Sequence, residues 1–529
     1  MPDQPRELLP EVSEVKPVAV IDIGTSSIRM AIAEIDDHGG VRQLASLSQA
    51  VRLGSDTFTR GYLDKSTIEE CVRVLKSYRQ VLQEHQIFGA DQIRVVATSA
   101  VREAKNRLSF IDRVYIATGF QVDSIDEAEE NRVAYLGILP FLQAEPALAS
   151  AKTIVIEVGG GSTDCLVVRN GNVLLAHSYR LGSLRLRETL EAYNAPAGKV
   201  RALMKNQIDR TVHQIREHIS LNGDDIEMIA LGGDVRFATS QIIRDWNPSY
   251  LAHVPVVELE EFTNQVLEMT EDELVMKYHL SFPEADTLGP ALLTYVELAH
   301  AFQRVNLLVT NTNLRDGLLK EMAVKSAWTE EFSNQIIRSA IDLGRRYDFD
   351  EAHAQHISHL AKLLFDQLRD QHQLGQRYEM VLTVAALLHE VGLFIGFQSH
   401  HKHSMYLIRN SALFGLSRKD LLLVALVARY YRRASPQPTH DGYGTLERDE
   451  RVAVAKLAAI LRIAVALDDS RSQRIQDLSC QRENGRLVIS IPRIEDLALE
   501  QLALKQNGSL FEEIFGLQVL LRTEREEIR

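Results

Sequence analysis

The chain has 529 residues, with 59 Lys and Arg against 72 Asp and Glu, for a net charge of −13. Such acidity argues against general nucleic-acid binding, so any polyanion must be met in a local basic channel. With 45% hydrophobic and 25% charged residues the chain can bury real cores, and at about 150 residues per domain its length suggests three or four domains. The three cysteines, Cys71, Cys165 and Cys480, are far apart and form no CxxC pair. That spacing argues against a zinc ribbon or a disulfide framework and suits a reducing compartment. Met1 to Pro10 lacks the apolar stretch of a signal peptide. No apolar run nears the roughly 20 residues needed to span a bilayer. The longest, Leu421 to Ala428, reads as a buried helix. The expected location is the cytoplasm, with no membrane partner and no nucleic acid.

Residues 1–17 read as a leader. Val18 to Ile23 is β-branched and ends in a glycine turn, which predicts a strand, and Ile28 to Ile35 predicts the next. Gly39-Gly40 closes a hairpin-like turn. Ser66 to Gln86 predicts an amphipathic helix, with Ser66 and Glu69 as a capping box and Ile68, Val72, Leu75 and Leu82 on one face. Ile93 to Ala97 is another strand, and Asp126 opens a helix rich in acids. The pattern then restarts. Thr153 to Val158 is a strand ending in glycines, Asp164 to Val168 and Val173 to His177 are the next two, and a long helix follows from about Pro196 to Ile219. Ile229 to Leu231 ends at Gly232-Gly233. A strand, glycine turn, hairpin and helix therefore occur twice, near residues 20 and 155, and this repeat is the main architectural clue. Beyond about Trp328 the predicted elements are helices: 334–347, 353–371, 378–389, 419–431 and 452–468. Leu487 to Ile491 returns to a strand.

A glycine turn straight after a strand aims backbone N–H groups at one place, where they bind phosphate oxygens well. Two such loops are present: Gly24, Thr25, Ser26 and Ser27, then Gly159, Gly160, Gly161, Ser162 and Thr163. Each follows a carboxylate at the strand end, Asp22 or Glu157. In such a pair the carboxylates can hold Mg²⁺ while amides and hydroxyls hold phosphate.

This arrangement resembles the actin-like ATPase superfold, and more closely the exopolyphosphatase/guanosine pentaphosphate phosphohydrolase (Ppx/GppA) family. Ala97 to Ala104 with Asn106, Glu129-Glu130-Asn131-Arg132 with Tyr135 and Gly137, and Leu181 to Leu186 are similar to family stretches. Gly232-Gly233, Glu284-Ala285-Asp286 with Gly289, and Leu314-Arg315-Asp316-Gly317 follow in the family's order. Residues 18 to 325 carry the resemblance most strongly. His389-Glu390-Val391-Gly392 and His400-His401-Lys402-His403-Ser404 extend it to the long members, which bear an HD-like domain.

The resemblance implies an α/β fold. Two actin-like, ribonuclease H-like subdomains, 18–140 and 141–328, would precede an all-α HD-like domain, 329–475, and a small α+β tail, 476–529. It implies hydrolysis of a terminal phosphoanhydride by water with Mg²⁺, a monovalent cation being an optional companion. Glu130 is then the base, with Glu129 as the fallback, and Arg102 neutralises the transferring phosphoryl group. Asp22, Glu157 and Asp164 are the metal-side carboxylates. Glu157 and Asp164 stand where relatives usually have Asp and Glu, so the two side-chain lengths are exchanged. Thr25-Ser26 replaces a usual Ser-Asn, and Asn313 replaces a usual glycine.

A working HD site needs a His, a His-Asp pair and a distant Asp. Here His353 can serve first, His389 precedes Glu390, and Val465 stands at the last position, with Asp468 a poor substitute three residues on. The expectation is a non-catalytic HD-like fold. Its basic clusters, His401-Lys402-His403 and Arg432-Arg433, are candidates for a polyanion path or for contact with a second subunit, because the long members suggest a homodimer. The expected substrate is inorganic polyphosphate, with pppGpp as the alternative. A non-catalytic (p)ppGpp sensor is the reading from another class.

Overall fold

The computed structural model describes residues 15–193, 199–219, 225–324, 330–494 and 496–524. The predicted leader and the start predicted at Pro196 fall mostly outside them. The chain divides into two compact units, Met1–Ala327 and Trp328–Arg529.

The first unit contains two sheets built on one plan. β1 (Lys16–Ile23) is buried from Val18 onward, as its continuous apolar run requires of a strand with neighbours on both sides. β2 (Ser27–Ile35) and β3 (Val41–Ala50) extend it as an antiparallel meander, while β4 (Ile93–Ala97) and β5 (Val122–Ser124) add in parallel, giving the order β3-β2-β1-β4-β5. In the second sheet β6 (Lys152–Val158), β7 (Thr163–Arg169) and β8 (Asn172–Tyr179) form the same meander. β9 (Ile226–Leu231) and β11 (Asn306–Val309) add in parallel, and β10 (Ala252–Pro255) caps the edge. The predicted repeat is thus present: each sheet has a three-stranded meander followed by two parallel strands, and the second adds β10 at its edge. Each sheet has its own apolar core, one around Ile21, Met30 and Leu75, the other around Ile156, Ile208 and Tyr295.

One local prediction fails. The helix predicted from Ser66 runs over Lys65–Glu84 with Asp64 at its N-cap and no side-chain capping bond. Ser66 already lies inside the first turn. Glu69 instead faces Lys65 and Arg113 at 3.9 and 3.7 Å, so no capping box forms.

The second unit is helical, as expected, over Glu330–Arg346, Glu351–Gln367, Gln376–Leu388, His400–Arg409, Arg418–Tyr430 and Arg448–Leu467. Its tail is a three-stranded sheet, with β12 (Ser479–Glu483) antiparallel and β14 (Gln518–Glu524) parallel to the central β13 (Arg486–Pro492). Among the described residues no helix is long and apolar enough to cross a membrane.

Candidate active site

The two glycine loops make the same turn at the same place in each repeat. Gly24 N–H donates to Ser27 O at 3.0 Å, and Gly159 N–H donates to Ser162 O at 2.9 Å. Gly54 N–H then reaches Thr25 O at 2.8 Å, and Arg185 N–H reaches Gly160 O at 2.9 Å. The amides of Gly24 and Gly159 are therefore spent within the turns. Gly160 lies so close to Thr25 that a Cβ there would collide with the Thr25 hydroxyl. Glycine is needed because the loops of the two halves nearly touch. Between them lies a cavity of about 160 Å³, lined by Gly24 to Ser27, Gly159 to Ser162, Thr98 and Ser99. Thr163 is not part of that lining. Its hydroxyl donates to Leu181 O at 2.5 Å in the core, so the alternation of β7 points it away from the phosphate position assigned to it.

The strand-end carboxylates enter by register. Asp22 stands opposite Arg29 in the β1–β2 pair, and Glu157 opposite Asp164 in the β6–β7 pair. Asp22 is buried. Its Oδ2 lies 3.6 Å from Arg315, while Oδ1 has no hydrogen-bond partner among the described residues. Burial, then repulsion from Asp164, pushes Glu157 up to about 7. Burial lifts Asp164 to about 6, although the hydroxyls of Ser178 and Ser162 and the Arg102 guanidinium pull the other way. These acids have lost water without gaining enough positive charge, which is the state a divalent cation relieves. Asp22, Glu157 and Asp164 do not close into a set with all ligand atoms within 4.8 Å of one another. An open set fits Mg²⁺, which keeps several waters and takes one or two carboxylates plus phosphate oxygens.

Glu130 lies in the first turn of the Glu127–Ala144 helix. Asp126 caps that helix by accepting from the Glu129 N–H at 3.0 Å, so the acidic first turn sits at the positive end of the dipole. This turn places its two glutamates differently. Glu130 lines the cavity, whereas Glu129 is held by Arg94 at 3.3 Å and Arg132 at 3.8 Å and does not line it. Arg102 donates through Nη1 to Glu130 and, at 2.9 Å, to the Ile125 carbonyl. Burial nevertheless pushes Glu130 up to about 8 against the pull of Arg102. Arg102 acts first on Glu130 rather than on a phosphoryl group. The neighbouring Glu103 instead spans to Arg180 and Arg185 on the other half.

The sequence analysis missed several cavity residues. Arg29, Asp234 and Glu284 all line the cavity, and burial pushes Asp234 up to about 6. Arg29 follows the first loop and Asp234 follows Gly232-Gly233, so adjacency to a glycine turn was the available signal, while Glu284 stands in one of the family stretches and was given no role there. Ser178 is reached only through the β7–β8 register, where it faces Asp164. Tyr295, buried on the Phe282–Ala301 helix, takes the Val158 N–H at 2.8 Å and donates to Leu231 O, tying β6 to β9 beneath Glu157.

Comparison with known proteins fits this site. Residues 31–326 match the Ppx/GppA phosphatase family, and residues 337–509 match Ppx/GppA phosphatase, domain III. The chain belongs to the Ppx/GppA phosphatase family. It is 23% identical over 506 residues to a guanosine-5'-triphosphate,3'-diphosphate pyrophosphatase of Photobacterium profundum, covering 93% of this chain and 95% of that one. It is 23% identical over 484 residues to the protein of the same name from Vibrio vulnificus, covering 89% and 91%. An exopolyphosphatase structure from Cytophaga hutchinsonii shares the fold at a TM-score of 0.53, with 20% identity over 59% of this chain and 99% of that one. An exopolyphosphatase-like protein does so at 0.51, with 22% identity over 59% and 99%. As a Ppx/GppA phosphatase the protein is a phosphoanhydride hydrolase.

Within this family member's domain III, Asp468 stands outside the group of His353, His389 and Glu390, whose ligand atoms lie within 4.8 Å of one another. The end of the Arg448–Leu467 helix instead brings its Oδ2 to 2.9 Å from His353 Nδ1. The two basic clusters lie near each other, because Arg432 and Arg429 act electrostatically on His401. Burial and these neighbours push His401 down to about 4, so it brings no positive charge at neutral pH. Lys402, Arg432 and Arg433 are exposed and carry the cluster's charge.

Proposed function

We propose that the protein is an exopolyphosphatase that removes terminal phosphates from inorganic polyphosphate. The carrying observation is the position of Glu130, a carboxylate with its side chain 12% exposed, lining the cavity between the two glycine loops and held by Arg102. Residues that line the cavity are glycine, polar or charged, apart from Ala134, Val158 and Leu314, which suits phosphate groups. The terminal phosphoryl group sits between Thr25 to Ser27 and Gly160 to Ser162. Glu130, once deprotonated, takes a proton from water as that water attacks the terminal phosphorus, and the bridging P–O bond breaks toward the shortened chain. Asp22, Glu157 and Asp164 would hold Mg²⁺, which supplies charge neutralisation on the phosphate oxygens. Arg102 keeps the Glu130 carboxylate aimed.

A second reading is hydrolysis of pppGpp to ppGpp by the same chemistry, favoured by the names of the relatives that match nearly the whole chain. Phosphate release from long-chain polyphosphate and from pppGpp, measured side by side, decides between the two. A homodimer and a cytoplasmic location complete the proposal.

A further inference from the structure

The first unit holds a second cavity, of about 580 Å³, against about 160 Å³ for the catalytic one. It lies between the C-terminal end of the Lys65–Glu84 helix, the C-terminal end of the Arg107–Thr118 helix and the starts of β4 and β5. Among the described residues none lines both cavities. β4 runs from this cavity at Ile93 toward Thr98 and Ser99, which line the catalytic one, so the two lie at opposite ends of one strand.

Three aromatic side chains line the second cavity, Phe88, Tyr115 and Phe120. Phe120 is 6% exposed and belongs to the core of the first sheet, so it is floor. Phe88 and Tyr115 are 70% and 51% exposed. Two large rings left in water beside a concave site, with a third beneath them, present apolar area that a bound ring would cover.

The charges in the lining are unequally answered. Asp91 pairs with Lys16, and Asp123 pairs with Arg94, whose other terminal nitrogen lies 3.3 Å from Glu129. Arg79 Nη1 donates to the Thr118 carbonyl at 2.5 Å, and among the described residues Arg79 has no carboxylate partner. That bond fixes the guanidinium at the cavity wall and spends one of its five N–H donors. Both acids are neutralised locally, and the charge left over is positive.

We propose that this cavity binds a planar aromatic anion, with its ring against Phe88, Tyr115 and Phe120 and its acidic group on Arg79. Aromatic walls select a flat apolar body, and the unpaired guanidinium selects a carboxylate- or sulfonate-like group on it. The site is separate from phosphate hydrolysis and does not depend on which phosphate substrate the enzyme turns over.

The probe is anilinonaphthalene sulfonate, titrated by fluorescence into the full-length protein beside its uncharged analogue phenylnaphthylamine. The expected result is saturable binding of the sulfonate about 10-fold tighter than of the neutral dye, the worth of one charge-assisted hydrogen bond. Arg79→Gln, which can still donate to the Thr118 carbonyl, should bring the two dyes to equal affinity. Tyr115→Ala should weaken both dyes alike. Saturating tripolyphosphate should leave the titration unchanged. Equal affinity of the two dyes for the wild type overturns the proposal, even if a variant fails to fold. A folded Arg79→Gln protein that keeps the preference overturns it, and so does displacement of the sulfonate by tripolyphosphate, which would put the dye in the catalytic cavity. Loss of self-association in Phe88→Asp, read by sedimentation, would show that a second copy of the chain covers the site and would overturn it too.

Discussion

Arg102 holds Glu130 by a direct hydrogen bond, and the same nitrogen reaches the Ile125 carbonyl at 2.9 Å. The pair joins the start of the Glu127–Ala144 helix to the short Ser99–Glu103 helix after β4, so the base is aimed by the fold rather than by substrate. Burial pushes Glu130 up to about 8, and Arg102 opposes that push. A base works only when deprotonated, so turnover is expected to rise from pH 6 to 9. Arg102→Met removes the opposing charge. It should move the rising limb to higher pH and lower kcat, about 10-fold or more, as loss of an aimed base does. A pH–rate profile of both proteins checks this, and an unshifted limb would count against the pairing.

The same acids give the metal-free protein a pH-dependent stability. Asp164, Glu157 and Glu130 are raised to about 6, 7 and 8, mainly by burial. Between their ordinary values and these, the folded chain binds more protons than the unfolded one. Their contribution is full at low pH and is lost as the pH climbs through 6, 7 and 8. Without metal, Tm is expected to fall from pH 5 to 8. Added Mg²⁺ should raise Tm more at pH 8 than at pH 5, where protonated acids bind it poorly. Thermal melts in chelator and in Mg²⁺ across this range test the sign.

Gly160→Ala places a methyl group against Thr25 and pries the loops apart. Geometry-dependent catalysis tolerates little displacement, so kcat is expected to drop about 100-fold with only a small change in Tm. Removing the obstacle in the double variant Thr25→Ala, Gly160→Ala should recover part of the loss. Equal activity in the single variant and the wild type would mean that the loops do not need to meet.

Arg432 and Arg433 are exposed beside Lys402, and His401 is held neutral. If this surface guides a polyanion, reversing both arginines to glutamate should raise KM for long polyphosphate several-fold more than for short chains, most clearly at low salt. Equal effects on the two lengths would remove the path.

Much of this was legible in the sequence. The doubled strand and glycine pattern predicted two matching sheets because strand runs and glycine turns are local signals. Glu130, Asp22, Glu157 and Asp164 all occupy the expected region because motif spacing fixes them on strand ends and a helix start. What failed depends on which way a side chain turns. Thr163 was assigned to phosphate, yet β-strand alternation buries it. Ser66, expected as the cap, lies two residues past the actual N-cap Asp64. Glu129 and Glu130 are adjacent acids that only the helix rotation separates. Ser178 and Asp468 meet partners 14 and 115 residues away, through strand register and helix packing that no local pattern carries.

The most direct measurement is orthophosphate release with Mg²⁺ from long-chain polyphosphate and from pppGpp, by the wild type, Glu130→Ala and Glu129→Ala. The expected result is turnover of polyphosphate by the wild type, a loss of about 100-fold or more in Glu130→Ala, and near-normal rates in Glu129→Ala. A fully active Glu130→Ala protein would contradict the account.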